Sequence, residues 1–422
     1  MSRPPLRIAM LGAGTVGRAV IDELNDHPER RQSSDGRPLA LTGVAVRDVA
    51  RARDAGLDAD LLTDAPAHLV ADPGTDVVVE VMGGDEPART LIAAALGAGK
   101  PVVTANKHVV AHHGPELEAI ARRTGTALRF EASVAGGIPI LGPLAADLAG
   151  NRVVRVRGIV NGTTNYILTA MAQEGRPYGD VLEDAQELGY AEADPTGDVE
   201  GDDAVNKLVI LARLAFGAWL DPATVGRRPP TARGDGRPGI TGVTDQEVEG
   251  AGALGLTIKL LATATRRDDG SIEAAVIPTA VPADSPFGWT DGVTNRVEVD
   301  AEPLGTVHFA GPGAGGPATS SAVLGDLVAI ARGLGSTWAG LAPAVGPAVA
   351  AADPLDGRRH WFAFVPAVQP GPLPEILDEA AAVSFDEGTA IRSKVATLVE
   401  AKAAFAALLA DGADVTLYPV DD

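Results

Sequence analysis

The feature that most constrains the fold is a glycine-rich turn between a strand and a helix near the start of the chain. Residues 6–12 are an apolar run typical of a buried strand, and a helix is predicted over residues 15–25. Between them stands Gly12-Ala13-Gly14-Thr15-Val16-Gly17, which has the G-x-G-x-x-G spacing. The first glycine permits a tight turn, the second lets a pyrophosphate approach the backbone, and the third lets helix and strand pack closely. The spacing predicts a dinucleotide site, and the alternative is a glycine turn without a ligand.

The elements that follow this turn alternate between strand and helix as far as residue 139. Nearly continuous apolar runs are typical of parallel strands that are buried on both faces. Strands are predicted at 39–46, 76–82, 101–105 and 127–134, and helices at 86–99 and 115–123. This alternation predicts an α/β fold, with a Rossmann doubly wound parallel sheet over residues 1–139 that a helix at 316–338 completes.

The pattern changes after residue 140. A strand is predicted at 153–160, helices at 163–174, 178–188 and 202–217, and extended stretches at 257–267, 271–281, 295–301 and 306–309. Strands that arrive in succession favour an antiparallel sheet, and we therefore predict an α+β second domain over residues 140–315. Residues 339–357 are small, apolar and rich in proline, which is typical of a linker.

Composition restricts both the partners and the chemistry. The chain has 422 residues and a formal net charge of −21, which disfavours nucleic acids and anionic membranes and leaves a small-molecule substrate open. Cysteine is absent, which excludes disulfides, thiolate nucleophiles and cysteine-based metal sites. The first residues resemble no signal peptide and no apolar run reaches the length of a membrane span, so we expect the cytoplasm.

The end of the second predicted strand bears on the choice between NAD and NADP. An acidic residue at this point favours the ribose hydroxyl of NAD, whereas an arginine favours the 2′-phosphate of NADP. Arg47, with Arg51 or Arg53 nearby, favours NADP, while Asp48 leaves NAD possible. The alternative for Arg47 is a solvated side chain on a loop.

A strongly acidic segment precedes a buried helix in the second domain. Six carboxylates fall between Glu192 and Asp203, and Lys207 follows on a helix whose remainder is almost wholly apolar. Asp203 and Lys207 are spaced i, i+4, so their side chains meet on one helix face. Such a lysine could protonate a carbonyl oxygen, and the nearby carboxylates could bind the ammonium group of an amino acid. The alternative is a solvated acidic loop with one helical ion pair.

Several motifs in one order resemble the homoserine dehydrogenase family. They extend from residue 6 to about residue 335 and are far more specific together than the glycine turn alone. The matching segments are Thr104–Lys107, Glu131–Pro139, Gly162–Thr169, Leu188–Thr196, Asp198–Leu208 and Gly311–Val323. The resemblance implies reversible NAD(P)H-dependent reduction of L-aspartate 4-semialdehyde to L-homoserine, in threonine, methionine and isoleucine biosynthesis. It also implies that residues 140–315 are the catalytic and dimerisation domain of a homodimer or homotetramer.

The resemblance assigns roles to individual positions. Lys207 corresponds to the proton donor, and Asp203 to the acid that orients the substrate and that lysine. Glu192 corresponds to the ligand of the substrate amino group, and Asp198 joins these residues in the substrate site. Lys107 corresponds to a second active-site lysine near cofactor and substrate, the alternative being a surface lysine after a strand. Cofactor contacts are implied for Gly12, Ala13, Gly14, Thr15, Val16, Gly17, Arg47, Lys107, Gly189 and Gly315.

The resemblance also implies a monovalent cation, usually Na⁺. Its ligands would be the backbone carbonyls of Val134, Gly136 and Ile138, with help from Glu131. Oxygen ligands suit a hard cation. The alternative is a strand end followed by a glycine turn that holds no ion.

Many bacterial members of the family end in an ACT domain, which is an effector-binding βαββαβ module. The tail at 358–422 is predicted to follow this order, with a strand at 360–368, a helix at 374–382, two weak strands, a helix at 400–410 and a strand at 413–420. Gln369 stands where the ACT motif has aspartate. We therefore expect a degenerate ACT-like module used for packing or assembly rather than a threonine sensor.

Two other functions are compatible with the same fold. One is an NAD(P) oxidoreductase of the same plan that acts on a different aldehyde or alcohol. The other is a non-catalytic NADP-binding regulator, which would require the loss of Lys207 or Asp203, and both are present.

Overall fold

The computed structural model describes residues 4–26, 37–344, 346–366, 373–410 and 413–421, and the account below is confined to these. The chain divides into two compact units. The first contains Met1–Val153, Val209–Pro222 and Gly311–Val349, and the second contains Val154–Leu208, Ala223–Ala310 and Ala350–Asp422. The predicted domain boundaries themselves stay a prediction.

The first unit is built on a six-stranded sheet. Its strands are β1 (Leu6–Leu11), β2 (Leu39–Ala45), β3 (Leu62–Thr63), β4 (Val77–Glu80), β5 (Val102–Thr104) and β6 (Leu128–Arg129). They lie in the order β3-β2-β1-β4-β5-β6 and all neighbours pair in parallel. This confirms the predicted α/β fold with a doubly wound parallel sheet, because the order reverses direction at β1.

Six helices connect and follow these strands. They are α1 (Thr15–Asp26), α2 (Val49–Asp54), α3 (Pro66–Ala71), α4 (Ala88–Gly97), α5 (Lys107–Thr124) and α6 (Leu141–Ala145). Helix α5 begins eight residues before the predicted start at residue 115, because the Asn106 side chain accepts a hydrogen bond from the Val109 amide and caps the helix. The strand predicted at 127–134 is restricted to β6, since Glu131–Ser133 form a 3₁₀ turn.

The second unit contains a five-stranded sheet in the order β11-β10-β7-β8-β9. Its strands are β7 (Arg152–Ile159), β8 (Leu256–Arg266), β9 (Ile272–Pro282), β10 (Thr294–Glu302) and β11 (Gly305–Pro312). Strand β8 pairs antiparallel with both β7 and β9, as the succession of predicted strands suggested. The accompanying helices are α7 (Gly162–Glu174), α8 (Tyr178–Glu187), α9 (Thr196–Val199) and α11 (Asp245–Ala253), together with the first half of α10 (Asp202–Phe216).

Helix α12 (Gly316–Ala331) returns to the first unit. It ends before the predicted residue 338, and Gly333 follows with a φ of 77°. Val323 and Leu327 pack in one apolar core with Ile8 and Met10 of β1. The helix therefore completes the packing of the parallel sheet.

The tail forms a third sheet, which is antiparallel, in the order β13-β14-β12-β15. Its elements are β12 (Trp361–Val365), β13 (Leu377–Phe385), β14 (Gly388–Ser393), α13 (Leu398–Ala406) and β15 (Tyr418–Pro419). The helix predicted at 374–382 is wrong, since most of that segment belongs to β13 and pairs with β14 across a two-residue turn at Asp386 and Glu387. In the described part of the tail the βαββαβ order is therefore wrong as well. Gln369 lies outside the described residues.

Among the helices of the described chain, none combines the length and the apolar character needed to cross a membrane.

A buried ion network ties α5 to the second half of α10 within the first unit. Arg213 is fully buried and donates two hydrogen bonds to the Glu118 carboxylate, at 3.0 Å and 2.7 Å. The Trp219 indole donates to the same carboxylate at 2.8 Å, and Arg122 adds a further hydrogen bond at 2.8 Å. Burial alone would raise the pKa of Glu118, but these hydrogen bonds offset it, and the pKa lies below its ordinary value.

Glu118→Gln is expected to lower the free energy of unfolding by about 3 kcal/mol, because it leaves Arg213 buried without its counter-charge. The control is Glu116→Gln on the same helix, which removes an ion pair with the partly exposed Arg89 and should cost less than about 1 kcal/mol. Chemical denaturation of the three proteins measures both values. Equal losses in the two variants would contradict the role of the Glu118 network.

The loss of stability in Glu118→Gln should depend on pH. A carboxylate whose folded-state pKa is lowered stabilises the fold above its unfolded-state pKa of about 4.3, and this contribution is lost as the pH falls through the folded-state pKa. The difference in melting temperature between wild type and Glu118→Gln should therefore be largest near neutral pH and shrink below about pH 4.3.

Candidate active site

The glycine-rich turn in the first unit has the geometry that its spacing predicts. Gly12 has a φ of 106°, and a Cβ atom there would lie 2.8 Å from the Val81 carbonyl oxygen. A Cβ on Gly17 would lie 2.3 Å from the Gly12 carbonyl oxygen, so β1 and α1 can approach only with glycine at this position. Gly14 has no atom within 4 Å of its Cβ position. The backbone of the middle glycine is therefore open to a ligand.

Arg47 and Asp48 follow β2 at the carboxyl edge of the same sheet. The Asp48 carboxylate accepts a hydrogen bond from the Arg51 amide at 2.9 Å and caps α2. Arg47 is exposed at the turn between β2 and α2. The acidic side chain at this strand end is thus already used by a helix, while the arginine extends into solvent.

The carboxyl ends of β4 and β5 are joined by a buried carboxyl group. Glu80 is fully buried, accepts hydrogen bonds from the Thr104 hydroxyl at 2.6 Å and the Met82 amide at 2.7 Å, and has its pKa raised by burial. Asn106 then caps α5, and Lys107 is the first residue of that helix. Lys107 is therefore held at a helix start beside the sheet edge and not in an open loop.

Gly315 lies beside the glycine-rich turn. It has a φ of 101° and precedes the first residue of α12. A Cβ on the next residue, Gly316, would lie 3.2 Å from both the Thr15 carbonyl oxygen and the Ala19 Cβ of α1. The structure thus brings together the starts of α1 and α12, where the family resemblance implies cofactor contacts.

The segment predicted to hold a cation is a tight loop packed against residues 312–314. Ala135 has a φ of 52°, and a Cβ on Gly136 would lie 2.7 Å from the Gly313 carbonyl oxygen. Within the described residues, no hydrogen bond reaches the carbonyl oxygens of Val134, Gly136 or Ile138. These three oxygens therefore remain compatible with a hard cation.

Glu131 binds backbone amides at the other end of this loop. Its carboxylate accepts hydrogen bonds, each of 2.8 Å, from the backbone amides of Ile140, Leu141 and Gly142 at the start of α6. Burial nevertheless raises the pKa of Glu131. In this arrangement Glu131 fixes the end of the loop, and the described residues contain no group of three or more histidine, aspartate or glutamate side chains that could hold a metal ion.

The predicted lysine–aspartate pair lies in the second unit. Lys207 is 8% exposed, and its Nζ donates to Asp203 Oδ2 at 2.6 Å and to the Val160 carbonyl oxygen at 2.6 Å. The ion pair is the i, i+4 pair that the sequence predicted. The second acceptor, the Val160 carbonyl oxygen, belongs to the residue that directly follows β7. The amine is consequently fixed in position, with a carboxylate that stabilises its charged form.

Sequence reasoning missed the residue that joins this pair to the acidic loop. Asn161 follows β7, caps α7, and donates through its amide nitrogen to Asp198 Oδ1 at 2.7 Å and to Asp203 Oδ2 at 2.9 Å. The available signal was an asparagine between a predicted strand and a predicted helix, which is a helix-capping pattern. The structure thus places Asp198, Asp203 and Lys207 in one hydrogen-bonded cluster.

Glu192 and Gly189 lie on the loop that follows α8. Gly189 has a φ of 75°, and the Thr163 hydroxyl donates to the Tyr190 carbonyl oxygen at 2.7 Å, which ties this loop to α7. The Glu192 side chain is exposed, and its carbonyl oxygen accepts a hydrogen bond from Gln186. The structure therefore anchors the loop but does not bring the Glu192 carboxylate into the lysine cluster.

Comparison with known proteins identifies the family of the chain. Residues 12–131 match the family described as homoserine dehydrogenase, NAD binding domain, and residues 139–328 match the family described as homoserine dehydrogenase. A homoserine dehydrogenase from Mycobacterium bovis is 47% identical over 332 residues, which are 78% of this chain and 73% of the relative. One from Bacillus subtilis is 42% identical over 329 residues, again 78% of this chain and 73% of the relative.

Solved structures indicate the same family. The crystal structure of a homoserine dehydrogenase from Thiobacillus denitrificans has a TM-score of 0.87 and 35% identity, covering 100% of this chain and 99% of that one. A hyperthermophilic archaeal homoserine dehydrogenase in complex with NADPH has a TM-score of 0.65 and 27% identity, covering 79% of this chain and 99% of that one. The chain therefore belongs to the homoserine dehydrogenase family and is a pyridine-nucleotide-dependent oxidoreductase.

Proposed function

We propose that the chain interconverts L-aspartate 4-semialdehyde and L-homoserine, a step of threonine, methionine and isoleucine biosynthesis, with NADP(H) and with Lys207 as proton donor. The observation that carries this proposal is the buried amine of Lys207, which is held by Asp203 and the Val160 carbonyl oxygen. A homodimer or homotetramer, predicted from the family resemblance, belongs to the same proposal.

When bound, a nicotinamide cofactor would supply the hydride for reduction of the aldehyde carbon and would accept it in oxidation of the alcohol. The chain has to supply the accompanying proton at the substrate oxygen. Lys207 Nζ releases it to the forming alkoxide during reduction and takes it from the hydroxyl group during oxidation. Asp203 keeps the amine oriented and stabilises its positive charge before the transfer. Lys107, at the start of α5, is the second lysine of the proposed site.

The substrate carries an ammonium group, and the acidic residues of the second unit suit it. Asp198 belongs to the lysine cluster through Asn161. Glu192 is exposed on an anchored loop, where its carboxylate is accessible to an ammonium group. We assign the substrate amino group to Glu192, with Asp198 and Asp203 completing the negatively charged side of the site.

Three features support NADP over NAD. Asp48 is committed to capping α2, Arg47 is exposed beside it, and Arg51 follows within the same helix. A guanidinium group binds a 2′-phosphate through charge-assisted hydrogen bonds, and NAD has no such phosphate for Arg47 to bind. The relative described as a complex with NADPH is consistent with this assignment.

The loop at residues 134–138 is our proposed site for a monovalent cation such as Na⁺. The carbonyl oxygens of Val134, Gly136 and Ile138 are hard ligands that accept no hydrogen bond from the described residues. Glu131 supports the loop from its other end by binding the start of α6. The role of the ion would be structural, since it would fix the loop that packs against residues 312–314.

Lys207→Met should retain cofactor binding and lose at least about tenfold in kcat, because the variant has no proton to transfer. Steady-state assays with homoserine and NADP⁺, and in reverse with aspartate semialdehyde and NADPH, measure the loss. Lys402→Ala is the matched control, since that amine binds the Gly234 carbonyl oxygen and has no place in the proposed site. Turnover of Lys207→Met at the wild-type rate would defeat the role of Lys207.

Gly14→Ala should weaken cofactor binding, whereas Gly17→Ala should destabilise the fold. The Gly17 substitution forces a Cβ against the Gly12 carbonyl oxygen and is expected to destabilise the protein by about 2 kcal/mol or more. The Gly14 substitution meets no protein atom, so the melting temperature should hold while NADPH affinity falls by about tenfold. Thermal melts and NADPH fluorescence titrations distinguish the two. Full NADPH affinity in Gly14→Ala would rule out the turn as the pyrophosphate site.

Arg47→Ala should raise the KM for NADP⁺ by about tenfold and leave the KM for NAD⁺ nearly unchanged, because only NADP⁺ carries the 2′-phosphate. Arg89→Ala serves as the control, since Arg89 forms exposed ion pairs with Glu86 and Glu116. The two cofactors are compared in the homoserine oxidation assay. A wild type that prefers NAD⁺, or a variant that loses both cofactors equally, would contradict the NADP assignment.

A further inference from the structure

The orientation of the Asn161 side chain is determined by four hydrogen bonds. Its Oδ1 accepts from the Thr164 amide at 2.8 Å and from the Thr164 hydroxyl at 3.0 Å. Its Nδ2 donates to Asp198 at 2.7 Å and to Asp203 at 2.9 Å. The reverse orientation would place the amide oxygen against two carboxylates and the NH₂ group against a backbone N–H. Only the first orientation gives each donor an acceptor.

One amide nitrogen therefore lies between two carboxylates that would otherwise repel each other. Asn161 is 5% exposed, so bulk water contributes little to screening this repulsion. The same Asp203 oxygen, Oδ2, accepts from both Asn161 and Lys207. The position of that oxygen, and with it the position of the lysine amine, depends on the asparagine.

The backbone reinforces this arrangement. Val160, which directly precedes Asn161, supplies the carbonyl oxygen that accepts the second Lys207 hydrogen bond at 2.6 Å. A Cβ on the following residue, Gly162, would lie 2.9 Å from the Val293 carbonyl oxygen, so the chain is closely packed at this point. Residues 160 and 161 therefore hold the amine from two directions, at the junction of β7 and α7.

We propose that Asn161 is a positioning residue of the reaction, whose amide holds Asp198 and Asp203 together as carboxylates and thereby fixes Lys207 for proton transfer. It acts through these side chains and need not touch the reacting atoms. The proposal rests on the proposed function, because the proton that it positions is the one exchanged with the substrate oxygen.

Asn161→Asp tests the proposal with almost no change of shape. Aspartate caps a helix as well as asparagine, so α7 keeps its N-terminal acceptor. The variant loses the NH₂ donor and places a third carboxylate against Asp198 and Asp203. We expect kcat to fall about a hundredfold at pH 8, while the KM for NADP⁺ stays within about twofold of wild type.

The pH profile separates positioning from a merely structural role. Protonation of the new carboxyl group removes one negative charge and restores one O–H donor, so the ratio of variant to wild-type kcat should rise as the pH is lowered from about 8 to 6. Asn161→Ser also retains a capping oxygen but is too short to reach both carboxylates. Its kcat should be reduced by a factor that does not change with pH. Asn151→Asp, at a turn where the side chain binds the Leu148 carbonyl oxygen, is the matched control.

The outcomes are distinguishable. A wild-type kcat in Asn161→Asp would overturn the positioning role. A loss of kcat that is equal in the Asp and Ser variants and independent of pH would overturn it as well.

If the wild type shows no turnover of homoserine, the proposed function fails first. The cluster is then tested by thermal melting, where Asn161→Asp should approach the wild-type melting temperature as the pH falls and Asn161→Ser should not. A constant difference would overturn the carboxylate cluster itself. If Asn161→Asp does not fold, the kcat of Asn161→Ser decides instead, and a wild-type value there would overturn the proposal.

Discussion

The interaction on which the proposed chemistry depends is the sharing of one Asp203 oxygen between Lys207 and Asn161. A buried ammonium group is costly unless it is paired and its hydrogen bonds are satisfied. Here the carboxylate lies one helical turn before the lysine on α10, and the asparagine approaches from the start of α7. Since Asp203 lies in α10 and Val160 lies between β7 and α7, both acceptors of the amine are held in place. The proposed proton donor is therefore preorganised before any substrate arrives.

At three of the proposed functional positions a helix begins shortly after a strand ends, and a side chain caps that helix. Asn106 caps α5 beside Lys107, Asn161 caps α7 beside the Lys207 cluster, and Asp48 caps α2 beside Arg47. The side chain of a capping residue satisfies backbone amides that would otherwise have no partner. Asparagine has a second function here, because its NH₂ group remains available to a neighbouring acceptor. Asn106 uses that group to bind the Gly84 carbonyl oxygen, and Asn161 uses it to bind two carboxylates.

Residue spacing within one element was enough to predict features that depend on that element alone. The glycine turn and the i, i+4 pair of Asp203 and Lys207 follow from spacing along one element, and both are present as predicted. Contacts between distant segments could not be predicted in this way. The Val160 carbonyl, the Asn161 bridge and the burial of Glu131 against the start of α6 depend on which loops meet. The predicted tail helix at 374–382 was wrong for the same reason, since pairing with β14 outweighs the helix propensity of its alanines and acidic residues.

The tail is part of the second unit and packs against its five-stranded sheet. Its core shares Ala275 and Ile277 of β9 with Trp361 and Phe405 of the tail. At the end of the chain, the Asp421 amide donates to the Ala280 carbonyl oxygen of β9, and its carboxylate pairs with Arg157 of β7, which also binds Glu298 of β10. Strand β7 leads directly to Val160 and Asn161. The tail therefore packs against the sheet whose strand β7 leads to the lysine cluster, and its apolar core and ion pairs are continuous with that sheet.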